Sequence, residues 1–192
     1  MKVLKTNFDG NSNIGLYGFA TDKYCLVGKG VRKEVLAKIK EVLKVPTHTI
    51  TINNSHLVGV YCCGNEDLLL VPEIIKENEE KELKRLKIPY KIVKSNFSAL
   101  GNNIAVKGDK CIINPEFEKN IDKELNGFYI YRMCLGENNT VGSCVVVNKN
   151  GCLVNTGIQE KEIEKIEKIL SVNAGIGSVN RGNPYVRSGI IC

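Results

Sequence analysis

The sequence has no tryptophan, two histidines, five prolines and 6% aromatic residues. A chain so poor in aromatics offers no aromatic-rich strand for stacking RNA bases, which argues against a generic RNA-binding module. Long apolar runs are missing too. The longest, residues 68–71 among them, hold four residues, against the ~18 that a membrane-spanning helix needs. The opening Met1-Lys2-Val3-Leu4-Lys5 has no apolar stretch of signal-peptide length. A cytoplasmic chain without membrane association is expected. None of the eight cysteines forms a C-x-x-C pair, so zinc and thioredoxin spacings are absent. Gly28-Lys29-Gly30 lacks the spacing of a P-loop. No metal and no cofactor are expected.

What is present is ordinary globular composition. The 192 residues are 43% hydrophobic and 25% charged, which fits one domain over residues 1–192. Most cysteines sit inside apolar runs, as in Tyr24-Cys25-Leu26-Val27 and Lys110-Cys111-Ile112-Ile113. Reduced thiols in such runs behave as small buried hydrophobes. The formal net charge is +6. The excess sits at the two ends: residues 1–50 carry nine Lys/Arg against four Asp/Glu, and residues 172–192 carry Arg181 and Arg187 with no acid. Two basic ends that meet in space would make one patch for an anionic surface. Lysines solvating outer helix faces are the alternative.

The chain repeats itself. Asn13-Ile14-Gly15, Leu57-Val58-Gly59, Ala99-Leu100-Gly101 and Thr140-Val141-Gly142 each lead into an apolar segment, and the glycines are 44, 42 and 41 residues apart. A fifth unit begins at Pro184-Tyr185-Val186-Arg187, with Arg187 at the glycine position. A period near 40 residues dictates architecture before any local reading. Each unit then reads as strand, turn rich in Asn, Asp and Gly, strand, helix, strand. The first strands are expected to open directly after the glycines, at residues 16–20, 60–63, 102–106 and 143–147. The helical spacings are Val31/Val35/Ile39 in the first unit, Leu83/Leu86 in the second, Phe117/Ile121/Leu125 in the third and Ile163/Ile166/Ile169 in the fourth. Asn114-Pro115 is expected to start the third helix, and Thr156 to cap the fourth. Third strands are expected at 47–52, 90–93, 128–133 and 176–180. The units run about 12–53, 54–95, 96–138 and 139–180, with a partial unit at 181–192. One unit cannot bury both faces of its sheet, whereas a ring of them can, with helices outside.

The wording of the repeats resembles a known family. Ser98-Ala99-Leu100-Gly101-Asn102, Ser178-Val179-Asn180-Arg181-Gly182, Asn13-Ile14-Gly15, Leu57-Val58-Gly59-Val60, and Val141-Gly142-Ser143 with Val147-Asn148-Lys149-Asn150-Gly151 are similar in order and spacing to archaeal and eukaryotic translation initiation factor 6. The resemblance covers essentially the whole chain. It implies an α/β fold, the five-bladed α/β propeller called the pentein fold. It also implies a monomer that binds the large ribosomal subunit, on ribosomal protein and rRNA at the intersubunit face. Such a protein prevents association with the small subunit and takes part in large-subunit biogenesis, without catalysis. In that family the fifth unit continues through a second strand and a helix. Here the sequence stops at Cys192, inside the expected first strand of the fifth unit and roughly thirty residues short on the repeat length. A fragment, or a ring that closes differently, is expected.

A propeller gathers the polar segments before each first strand at one end. Asn13, Asn54, Asn102, Asn139, Asn180 and Arg181 are the candidate ribosome-binding residues, with Asn96 beside them. Asparagine in such places also serves turns by bonding its own backbone. Arg181 and Arg187 suit phosphate oxygens. The rival expectation is a pentein-fold enzyme that modifies guanidino groups with a cysteine nucleophile: Cys62, Cys63 or Cys192. Such a thiol needs a base or cation nearby. Only His48 and His56 are on offer, with no acidic cluster at a recognisable spacing, and alternation sends Cys62 and Cys63 to opposite faces. No enzyme is expected.

Overall fold

The computed structural model describes residues 3–192. Four three-stranded sheets follow one another along the chain: β1–β3 (Gly18–Ala20, Cys25–Gly28, Thr47–Ile50), β4–β6 (Cys63–Gly64, Leu69–Pro72, Tyr90–Val93), β7–β9 (Ile104–Lys107, Lys110–Ile113, Tyr129–Arg132) and β10–β12 (Val145–Val147, Cys152–Val154, Ala174–Ile176). In every sheet the first strand pairs antiparallel with the second through a tight turn, and the second pairs parallel with the third across a helix. The outer helices are Lys33–Leu43, Glu77–Arg85, Ile121–Glu124 and Glu160–Leu170.

The glycines that marked the repeat do not open strands. Each lies in a one-turn helix, at Ile14–Leu16, Val58–Tyr61, Leu100–Asn103 and Val141–Cys144, and the strand starts after it. Val186–Gly189 adds a fifth such turn where a strand was expected, and residues 190–192 carry no strand pairing. These five inner turns pack one on the next, and the fifth packs on the first, so the inner ring closes.

Closure is a backbone-to-backbone contact, which is why glycine recurs there. A Cβ on Gly59 would lie 1.9 Å from the carbonyl oxygen of Gly15. On Gly101 it would lie 2.1 Å from that of Gly59, on Gly142 2.3 Å from that of Gly101, and on Gly15 1.8 Å from that of Arg187. Glycine is used here for close approach rather than for its φ.

The hydrophobic core is divided between blades. Leu26, Ile50 and Ile52 of the first unit pack with Leu69, Val71 and Leu83 of the second. Leu70 and Val93 pack with Ile113, Phe117 and Ile121 of the third, and Ile112 packs with Val154 and Ile166 of the fourth. The far side of the first sheet, with Phe8, Val27 and Ile39, is covered by Val35, Leu36 and, from the fifth unit, Ile191. The four sheets are thus packed against one another in sequence order across three apolar layers, while the far side of the first is covered mainly by its own helix.

Several local expectations need correction. The third helix begins at Ile121, not after Asn114. The Asn114 Oδ1 accepts the Glu116 N–H at 2.8 Å in a local turn, and its amide donates to Asn103 Oδ1 at 2.8 Å. That turn competes with helix initiation, although Phe117, Ile121 and Leu125 all reach the core. The fourth helix is capped at Gln159, whose N–H donates to Glu162 Oε2 at 3.0 Å, rather than at Thr156. The last third strand is Ala174–Ile176, ahead of the expected 176–180, because Val179 is committed to a bridge with Asn183.

The ring predicts a contrast between glycines. Gly101→Ala is expected to destabilise the fold by about 3 kcal/mol, the upper range for overpacking, because a rigid carbonyl must move. Gly175→Ala, with nothing within 4 Å of its Cβ, is expected to change stability by less than about 1 kcal/mol. Urea unfolding midpoints of the two variants check this.

Candidate functional site

Each inner turn is preceded by a polar loop, and the five loops share one end of the ring. Four contain a two-residue bridge: Phe8 with Asn11, Ile52 with Ser55, Leu135 with Asn138, and Val179 with Asn183. Their tips take left-handed backbone at Asp9 and Gly10, Asn53 and Asn54, Gly136, and Asn180 through Gly182. Asn and Gly tolerate that region, which explains the composition. After the tip a side chain accepts a backbone N–H two residues on: Asn11 from Asn13, Ser55 from Leu57, Ser95 from Phe97 and Asn183 from Tyr185.

The tips are fastened by carboxylates from the outer helices. Glu79, 2% exposed, accepts the Thr51 hydroxyl at 2.6 Å and the N–H groups of Asn53, Asn54 and Lys76 at 2.7, 2.8 and 2.9 Å. One side chain thus holds a loop tip and caps its own helix. Burial pushes the Glu79 carboxyl up, but these four donors outweigh it and leave its pKa below the ordinary 4.5. Glu162 does the same for Gly136 and Gln159, and Glu118 accepts from Asn96. Sequence reading passed over these three glutamates. The Lys76-x-x-Glu79 and Gln159-x-x-Glu162 spacings were the available signal.

The expected site residues are distributed around this end. Asn13 and Asn180 come together: Asn180 Nδ2 donates to Asn13 Oδ1 at 2.9 Å and to the Ser12 carbonyl at 3.0 Å. This joins the loops that precede the first and fifth inner turns. Arg181 follows at φ 65, exposed, its guanidinium without a bond among the described residues. Asn54 stands exposed on its tip. Asn139 bridges outward, its amide 2.6 Å from Glu116 Oε1. Asn102 is half-buried within the inner turn rather than on a loop. Tyr185, 42% exposed with its hydroxyl toward Asn138, is a further aromatic at this end that the sequence reading left aside. Arg187 does not join it. Its side chain enters the channel inside the ring and donates from Nη2 to the Cys62 carbonyl at 3.0 Å.

Six of the eight thiols are buried, while Cys134 is half-buried and Cys192 exposed. Burial pushes Cys63, Cys25 and Cys111 up to about 12, and Cys62 higher still. Cys62 and Cys63 belong to different core clusters. His56 is exposed on its loop. No group of His, Cys, Asp and Glu among the described residues has metal-holding geometry.

Replacing Glu79 with Gln is expected to cost about 2 kcal/mol at pH 7, the scale of hydrogen bonds to a charged group. A carboxyl with a lowered folded pKa contributes stability fully above its unfolded value and loses it as pH falls through the folded one. The gap between the parent and Glu79→Gln is therefore expected to shrink once pH drops below 4.5. Urea unfolding at pH 7 and at stepwise lower pH measures it.

With this geometry in view, comparison with known proteins is direct. The eIF-6 family model matches residues 3–192. Translation initiation factor 6 of Saccharolobus islandicus is 32% identical over 197 residues, covering 100% of this chain and 88% of that protein. The Methanococcus vannielii protein of the same name is 36% identical over 199 residues, covering 98% and 87%. Among solved structures, a DDAH mutant from Pseudomonas aeruginosa complexed with citrulline aligns at TM-score 0.58 and 13% identity, covering 86% of this chain and 69% of that one. The product-bound N-terminal domain of ArgZ, a cyanobacterial arginine dihydrolase, aligns at TM-score 0.57 and 9% identity, covering 92% and 73%. At such identities the structural likeness shows the fold alone, and that fold is the pentein propeller.

Proposed function

The chain belongs to the eIF-6 family, and from that premise we propose that it binds the large ribosomal subunit and prevents association with the small subunit, with a role in large-subunit biogenesis. The observation that carries the reading is the Asn-rich end of the ring. Its loop tips are held in left-handed backbone, three glutamates fasten three of the five loops from behind, and Arg181 is free beside the Asn13–Asn180 pair. Such an end presents fixed donors and acceptors with little ordering cost on docking. A guanidinium there suits rRNA phosphate, and the asparagines suit either ribosomal protein or rRNA. The net charge of +6 favours approach to an anionic particle. The action is steric and stoichiometric: a monomer covers surface that the small subunit needs. Its place is the cytoplasm. Among the described residues no helix is long and apolar enough to cross a membrane.

The role is non-catalytic. The fold likeness to DDAH and ArgZ is the observation on the other side. Against it stand the buried thiols of Cys62 and Cys63, whose raised pKa is the opposite of what a cysteine nucleophile requires. Turnover of arginine that disappears on replacing Cys62, Cys63 or Cys192 would overturn this part.

Arg181→Glu is expected to weaken large-subunit binding about tenfold, the scale of one charge-assisted contact reversed, and to lower the salt slope by about one contact. Asn102→Ser is expected to weaken it less. Neither is expected to shift the melting temperature. Co-sedimentation with separated subunits at two salt concentrations checks the affinities and the salt slope, and thermal unfolding checks the melting temperature. Unchanged affinity in both variants would remove this end as the docking face.

A further inference from the structure

The turns between first and second strands gather at the end of the ring opposite the Asn-rich loops. There they surround the mouth of a central channel of about 360 Å3, at the lower end of the ~300–1,000 Å3 that small-ligand sites span. Its walls are the first strands of all four sheets, and Arg187 stands in its lining. Arg187 takes the place that glycine holds in the other four inner turns. One of its five donors is spent on the Cys62 carbonyl. Nε and Nη1 have no partner among the described residues, yet they are not sealed off, since neither counts among the fully enclosed unpaired atoms of the chain.

The cation also lacks a counter-charge. Among the described residues no carboxylate lies within ion-pair distance of it. Its electrostatic neighbours are the thiols of Cys63, Cys62 and Cys192, whose pKa values are all raised by burial. Burial also draws the Arg187 pKa down. Of the carboxylates at the mouth, Asp22 is engaged by Lys149 at 3.0 Å, and Glu66 has no ion pair among the described residues. Lys107, which also lines the channel, has no ion pair among the described residues. A half-buried guanidinium with open donors and no paired anion is unfavourably placed, and its planar fork matches two oxygens of a carboxylate or phosphate.

We propose that the central channel binds a small free oxyanion, a phosphate or a carboxylate, on the open edge of the Arg187 guanidinium. Entry is past Lys107 and the turn tips. The channel opens among the hairpin turns rather than the Asn-rich loops, and anion binding is read on the free chain without ribosomes, so the two readings are tested separately.

Titration of the full chain with inorganic phosphate and, separately, with succinate tests this. The readouts are calorimetry and backbone amide shifts. Saturable binding of either at a dissociation constant of about 1 mM or below, with shifts centred on Cys63, Ala105 and Val146, is expected, and the stronger of the two identifies the chemistry. Arg187→Lys is expected to weaken binding about tenfold, and Arg187→Met to abolish it. Absence of saturable binding for both anions overturns the proposal. So do shifts confined to the outer helices or the Asn-rich loops, or binding unchanged in Arg187→Met. If Arg187→Met does not fold, the location of the shifts in the parent chain decides.

Discussion

The whole molecule depends on four places where one peptide unit touches the next with no side chain between. Gly15, Gly59, Gly101 and Gly142 let each inner turn press on the carbonyls of the preceding one. No backbone hydrogen bond joins one sheet to another among the described residues, so it is this contact, with the apolar layers outside it, that sets the spacing of the blades. Glycine elsewhere supplies unusual φ. Here it supplies absence of volume, and the first strands can line a narrow channel only because of it.

That constraint also explains what was legible in the sequence and what was not. The period, the antiparallel-then-parallel order of each sheet and the outward helices follow from the glycine spacing and the apolar patterning. The inner turns were hidden because Val58-Gly59-Val60-Tyr61 reads as strand by composition. Its neighbours force it into a turn, tertiary packing overriding local preference. The third helix failed for the opposite reason: its apolar spacing was right, but the Asn114 side chain offered the backbone a competing turn. The site was half legible. Asn13 and Asn180 are 167 residues apart and meet, which the ring implied. Asn102 is half-buried in an inner turn rather than on a loop because it follows the glycine instead of preceding it. Glu79 was unreadable as a loop-fastening residue, since the loop it holds, at Thr51, Asn53 and Asn54, lies 25 to 28 residues before it.

The two ends of the ring differ in chemical character. At one end polar backbone is satisfied locally and held from behind by carboxylates, leaving side-chain groups and Arg181 facing outward. At the other, Arg187 brings a charge inward, among carbonyls and neutral thiols. The fifth inner turn is the departure in both respects: it has a side chain where the others have none, and its loop carries Asn180, Arg181 and Tyr185. A repeat architecture makes such departures informative, because four sister positions show what packing alone would accept.

The layer over the first sheet draws Val35 and Leu36 from nearby sequence but Ile191 from the far end of the chain. During synthesis, at ~5–20 residues per second, the second, third and fourth blades can each settle against the one made before. The first cannot be completed by any of them. Phe8, Val27 and Ile39 gain the Ile191 contact only when that residue emerges, so the first blade is completed after the three made later than it.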